Sequence, residues 1–258
     1  MRKYLLSLSL SAFFSFLLFL IGKSIDESYT LITSVALFAM FLVLAFILNK
    51  KTIEKKDALI YFSLFTIVLL PITYFVDAFY VVDTHIGMFF LAAYFLFKKD
   101  LKTTLKTIGF PGELGKTIMY SLAGIFIMLV ATILLGIIMT YGLGISDSEK
   151  IAEMVASFPV YILLVAIILA PLSEELFFRA FLTGKTGIVV SSVLFAIVHS
   201  AYGSIIEIIG TFILGLILAA IYKRSKSITP CIIMHFVYNL ISVAVMILVS
   251  NQGSLVGT

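Results

Sequence analysis

The sequence predicts an all-α polytopic integral membrane protein of about eight or nine transmembrane helices, on three observations. Of its 258 residues, 62% are hydrophobic and 12% charged, with mean hydropathy +1.18, whereas a soluble domain carries about 25% charge. The apolar residues fall in runs that match a hydrocarbon core about 30 Å thick, which a helix crosses in about 20 residues. The basic residues, finally, sort onto one side when the runs alternate across the membrane.

The runs, in order, are Tyr4–Gly22, Thr30–Leu48, Ala58–Phe75, Ala78–Phe97, Ile118–Tyr141, Val160–Leu182, Gly187–Ser200, Ile205–Tyr222 and Pro230–Val249. The first follows Arg2 and Lys3. It is long for a signal peptide and lacks a small-x-small cleavage site, so it reads as a span. The fourth is interrupted by Asp77, Asp83 and His85, which read as loop residues near the outer surface. The seventh is short, and fits as a tilted or buried segment.

Alternation places Arg2, Lys3, Lys50, Lys51, Lys55, Lys56, Lys98, Lys99, Lys102, Lys106, Lys116, Lys185, Lys223, Arg224 and Lys226 on one side and only Lys23 and Lys150 on the other. Positive charge marks the cytoplasmic face, so the N-terminus is expected there, in a multi-pass protein of the cell membrane. Three regions follow: scaffold helices over 1–97, an interfacial cytoplasmic connector over 98–117 with Gly109 and Pro111-Gly112, and a C-terminal helical region over 118–258. The single Cys231 excludes an internal disulfide framework and a cysteine-rich metal site. No basic run with interleaved aromatics points to nucleic acid.

The polar residues inside the spans concentrate in the C-terminal region. Charges at membrane depth cost several kcal/mol each and persist where they face a protein interior, which makes Glu174, Glu175 and Arg179 a functional-site candidate. Residues four apart share a helix face, so Glu175 can pair with Arg179 while Glu174 diverges by about 100° and lacks a partner on its own helix. A desolvated carboxylate suits a general base. Phe195 and His199 share a face in the next run, and His235 and Asn239 do so in the last, as two convergent donors of the kind an oxyanion needs. At about 1.5 Å per residue, His235 lies roughly 7 Å and Glu174 roughly 10 Å from the inner surface, so they can meet; His199 comes out at roughly 18 Å.

Glu-Glu-x-x-x-Arg, Phe-x-x-x-His and His-x-x-x-Asn, in this order, resemble the CAAX-protease and bacteriocin-processing family of intramembrane endopeptidases. The stretch Gly210 to Gly215 and Ser227-Ile-Thr-Pro230 also look like that family, and the resemblance covers about Ile168 to Ile241. It implies that Glu174 activates the attacking water with help from His199, that His235 and Asn239 hold the oxyanion, and that Glu175, Arg179 and Phe195 support them. No motif position departs from the pattern, Ala180 supplying the usual small residue after the arginine. The substrate classes implied are prenylated CAAX C-termini, peptide pheromones and bacteriocins.

Competing readings use the same residues. Glu174, His199 and His235 could hold Zn2+, with Glu175 as the base, although the chain has no His-Glu-x-x-His helix; the expectation is no cofactor. Cys231 lies four residues before His235 and offers a thiol. Gly-x-Ser-x-Gly is absent, and Ser173, Ser191 and Ser192 are expected to bond helix carbonyls. Glu207 fits either interfacial solvation or a deep polar lining. The alternatives in function are a non-catalytic bacteriocin-immunity or scaffold protein and a proton- or ion-coupled transporter.

Overall fold

The computed structural model describes residues 1–25, 53–76, 78–97, 100–200 and 203–256. The predicted span Thr30–Leu48 and residues Lys50, Lys51, Asp77, Lys98 and Lys99 lie outside these. The described residues form helices and no strand. Six stretches are long and apolar enough to cross a membrane: Arg2–Gly22, Phe79–Leu96, Leu114–Gly142, Val160–His199, Ile205–Ser225 and Thr229–Ser250. Ile60–Phe75 is a shorter apolar helix. The protein is an all-α polytopic membrane protein.

The chain divides into two compact units, Met1–Phe97 and Lys98–Thr258. In the first, α1 (Arg2–Ile25) packs against α2 (Ile53–Phe75) and α3 (Phe79–Leu96). Leu18, Phe62 and Leu70 form its core, with Phe14 against them. Serines tie the helices where apolar packing alone leaves register open. Ser11 Oγ donates to Phe62 O at 2.7 Å and Ser9 Oγ to Gly87 O at 3.0 Å. The absent side chain of Gly87 lets α1 approach, since a Cβ there would stand 3.0 Å from the Phe13 ring.

Asp83 and His85 are not loop residues. Both are buried within α3, and Asp83 Oδ2 accepts from Thr73 Oγ1 of α2 at 3.1 Å. A helix-borne hydroxyl opposite the carboxylate lets the apolar run continue through the acid, a partnership that spacing along one chain segment does not reveal.

The second unit opens with α4 (Leu101–Thr107), whose N-cap Asp100 accepts from the Thr103 N–H at 2.8 Å and Thr103 Oγ1 at 2.9 Å. Those bonds hold its carboxyl below the usual value. It continues with α5 (Leu114–Ile137), which ends in a π-turn over Ile138–Gly142, and α6 (Ser148–Ser157). Then come α7 (160–183), α8 (Gly184–His199), α9 (Ile205–Ser225) and α10 (Thr229–Val256). Met128 of α5, Leu214 and Leu218 of α9, and Cys231 and Met234 of α10 make the core. Gly124 clears the way for Met234, into which a Cβ at that position would run.

The predicted sixth and seventh runs form one apolar stretch in which the chain doubles back. Gly187, at φ 84° and ψ 176°, makes the break, a conformation that costs glycine little and other residues much. Across the hairpin Thr183 Oγ1 meets Ser191 Oγ at 2.9 Å, and the Phe178 and Phe195 rings stand 5.1 Å apart edge to face. α9 then packs on α8 at Gly215, where a Cβ would lie 3.1 Å from Ser192 and 3.3 Å from Phe195.

Two loop junctions fix the ends of these helices. On the side of the basic residues, Ile228 N–H donates to Ile108 O at 3.0 Å, Ser227 Oγ to Gly109 O at 2.6 Å and Gly112 N–H to Thr229 Oγ1 at 3.0 Å, stapling the start of α5 to the start of α10. At the other end Asp147 accepts from Ser204 Oγ at 2.7 Å and from the Ile205 N–H at 2.6 Å. Burial alone would raise the Asp147 carboxyl, but these hydrogen bonds hold it below its ordinary value. A lowered folded-state value means that stability gained from this junction is present above about pH 4 and is lost as pH falls through the folded value. Asp147→Asn is therefore expected to melt below wild type at pH 7, with the gap closing towards pH 3 in a series of thermal scans. A constant gap would show that the charge contributes nothing.

Candidate active site

The site is built on α7, which is not a uniform α-helix. Val160–Leu164 is α-helical, Val165–Leu169 is a π-turn, Ala170–Glu174 returns to α, and Glu175–Thr183 is π-helical again. Glu174 and Glu175 thus straddle an α-to-π boundary, a type of irregularity frequent at functional sites. Both carboxylates are buried, Glu175 completely.

Glu175 pairs with Arg179 as the four-residue spacing predicts, Oε2 lying 3.1 Å from Nε with both side chains wholly buried. The guanidinium lies 4.3 Å from the centre of the Phe195 ring, a cation–π contact in a dry setting. His235 completes the arrangement. Its Nδ1 lies 2.9 Å from Glu175 Oε1, and since a carboxylate oxygen accepts, Nδ1–H is the donor. Its Nε2 lies 3.7 Å from Glu174 Oε2. Glu174 therefore does face a partner, on another helix, because the two nitrogens of one ring reach carboxylates that diverge around α7.

Phe195 is the common wall. It is buried, meets His235 edge to face at 5.9 Å between ring centres, and carries the His199 ring at 4.5 Å one turn along α8. His199 Nδ1 lies 2.8 Å from Phe195 O, so Nδ1–H donates to that carbonyl. Asn239, one turn beyond His235 on α10, donates from Nδ2 to Ala166 O in the first π-turn of α7 at 2.8 Å. Ala166 carries no chemistry in its side chain, and only its carbonyl takes part.

The serines and Cys231 turn to helix carbonyls instead. Ser173 Oγ donates to Leu169 O at 2.9 Å, and Ser191 and Ser192 donate to Ile188 O at 3.0 and 2.8 Å, the helix-carbonyl bonding expected of them. Cys231 is buried in the core and its thiol points to Leu218 O at 3.5 Å. Glu207 is half-buried in the first turn of α9, its N–H on the N-cap Ser204, and its carboxyl lies within electrostatic range of His199. Among the described residues no group of three or more His, Cys, Asp or Glu side chains stands in a metal-holding arrangement.

Residues 156–241, which include every residue of this cluster, match the protein-family description "Type II CAAX prenyl endopeptidase Rce1-like". Over this segment the chain is similar to the CAAX-protease and bacteriocin-processing family. A curated relative is the "Putative membrane peptidase YdiL" of Bacillus subtilis (strain 168), 30% identical over 150 residues. The aligned part is 54% of this chain and 59% of the relative, so the chain spans about three-fifths of the curated relative's length. No solved structure matches significantly. The family segment begins near the start of α7 and runs into α10, and leaves the first unit outside it.

Proposed function

We propose that the chain is an intramembrane endopeptidase that hydrolyses a peptide bond in a membrane-associated or lipidated peptide or protein. Glu174, helped by His199, activates the water, and His235 and Asn239 hold the tetrahedral oxyanion. Glu175, Arg179 and Phe195 orient His235. The observation that carries this reading is the His235 imidazole held between Glu175 and Glu174, which puts a water-activating carboxylate beside a ring whose orientation is fixed from behind. The family match over residues 156–241 supports the reaction class, and the basic bias of the loops supports a cytoplasmic N-terminus with the site in the inner half of the membrane.

The reaction needs no resident metal in this reading. Zn2+ on Glu174, His199 and His235, with Glu175 as base, is the competing assignment, and metal analysis of active protein with a chelator arm separates the two. The substrate is a peptide that reaches the site from the cytoplasm or laterally from the bilayer. Comparative proteomics of membrane peptides in cells carrying wild type or Glu174→Ala tests the function and identifies the cleavage site together. Identical peptide profiles would count against hydrolysis and favour a scaffold or immunity role.

A further inference from the structure

The α-to-π changes in α7 have a local cause in the sequence, and that cause leads to Asn239. In the π-turn over Val165–Leu169 the Ala170 N–H donates to Val165 O, five residues back, rather than to Ala166 O. The next donor in a five-residue pattern, the one that would serve Ala166 O, is residue 171. That residue is proline, which has no N–H. Neither the α-type nor the π-type backbone partner is therefore available to the Ala166 carbonyl. A carbonyl left so within an apolar helix bundle is costly unless a side chain fills it. Asn239 Nδ2 fills it at 2.8 Å from the facing helix.

From this we infer that Pro171 is a positioning residue: by withholding its N–H it reserves the Ala166 carbonyl for Asn239 and so fixes which way the Asn239 carboxamide points. The inference rests on the proposed role of Asn239 at the oxyanion. A carboxamide has two chemically different ends, and only its NH2 end can serve an oxyanion. With one N–H engaged by a carbonyl, the amide is anchored with that end turned to α7, and the second N–H is held in a fixed geometry. Pro171 stands three residues before Glu174 on the same helix, so the residue that frees the carbonyl also starts the α-helical turn that ends at the base. One substitution thus bears on both halves of the site without touching substrate.

The test is a double-mutant cycle on the full chain in detergent, using wild type, Pro171→Ala, Asn239→Ala and the double variant. Alanine restores an N–H and suits a helix, so Pro171→Ala is expected to fold. Asn239→Ala should lower the melting temperature by about 2–4 °C in wild type, because it strands the carbonyl, and by clearly less in Pro171→Ala, where the new N–H serves it. Pro171→Ala should also lower kcat roughly tenfold with KM unchanged, measured on the peptide that the comparison with Glu174→Ala identifies. Additive melting losses, or an undiminished kcat in Pro171→Ala, overturn the inference. Asn239→Ala with wild-type turnover overturns the oxyanion role instead, and in that case the melting cycle still decides whether Pro171 and Asn239 are linked.

Discussion

Purified Glu174→Ala is expected to lose cleavage by at least about 10²–10⁴-fold while it melts close to wild type, since the fully buried ion pair of α7 does not depend on it. Glu175, and not Glu174, carries the buried ion pair with Arg179 and the short contact to His235 Nδ1. Removing the Glu174 side chain leaves both in place. His199→Ala should fall in the same range, because His199 shares with Glu174 the activation of the water. Asn239→Ala should keep a measurable fraction, since one oxyanion donor is worth roughly 10²–10³ and His235 remains. Excess chelator should leave the wild-type rate unchanged. A rate that collapses on chelation and returns with zinc would move the base from Glu174 to Glu175, and intact turnover by Glu174→Ala would falsify the mechanism altogether.

The helical class and the pairings within the candidate cluster were legible in the sequence because both rest on rules local in the chain. Apolar runs predict helices, and residues four apart predict the Glu175–Arg179 pair, the Phe195–His199 contact and the shared direction of His235 and Asn239. Two kinds of feature lay outside such rules. Asp83 looked like a loop residue because its partner, Thr73, lies on another helix, and no spacing announces a partner that only folding supplies. Glu174 looked isolated for the same reason, its neighbour being His235 from α10. The π-segments of α7 were also invisible, because regular α-geometry was assumed on both sides of Pro171. There the signal existed: a proline inside an apolar helix that also carries charges announces a carbonyl without a donor, and a side chain must be sought for it.

Arg179→Ala is expected to produce the largest loss of stability, about 3–5 kcal/mol, because it leaves a fully buried carboxylate at Glu175 with its compensating cation gone. At about 2–4 °C per kcal/mol for a domain of this size, the melting temperature should fall by roughly 10 °C or more. The Phe195 face adds to the cost, since the guanidinium 4.3 Å from that ring fills the space between α7 and α8. Lysine should rescue poorly: its ammonium is more strongly hydrated and cannot lie flat on the ring. The double variant Glu175→Gln with Arg179→Met removes both charges and keeps most of the volume, so it should recover much of the lost stability. It should not recover activity. His235 Nδ1–H would face an amide in place of a carboxylate, and the orientation and charge that Glu175 lends to the ring would be gone. Thermal scans paired with cleavage rates on these variants separate the two roles. If the stable double variant cleaves at the wild-type rate, the buried pair serves the fold alone and His235 is oriented by something other than Glu175.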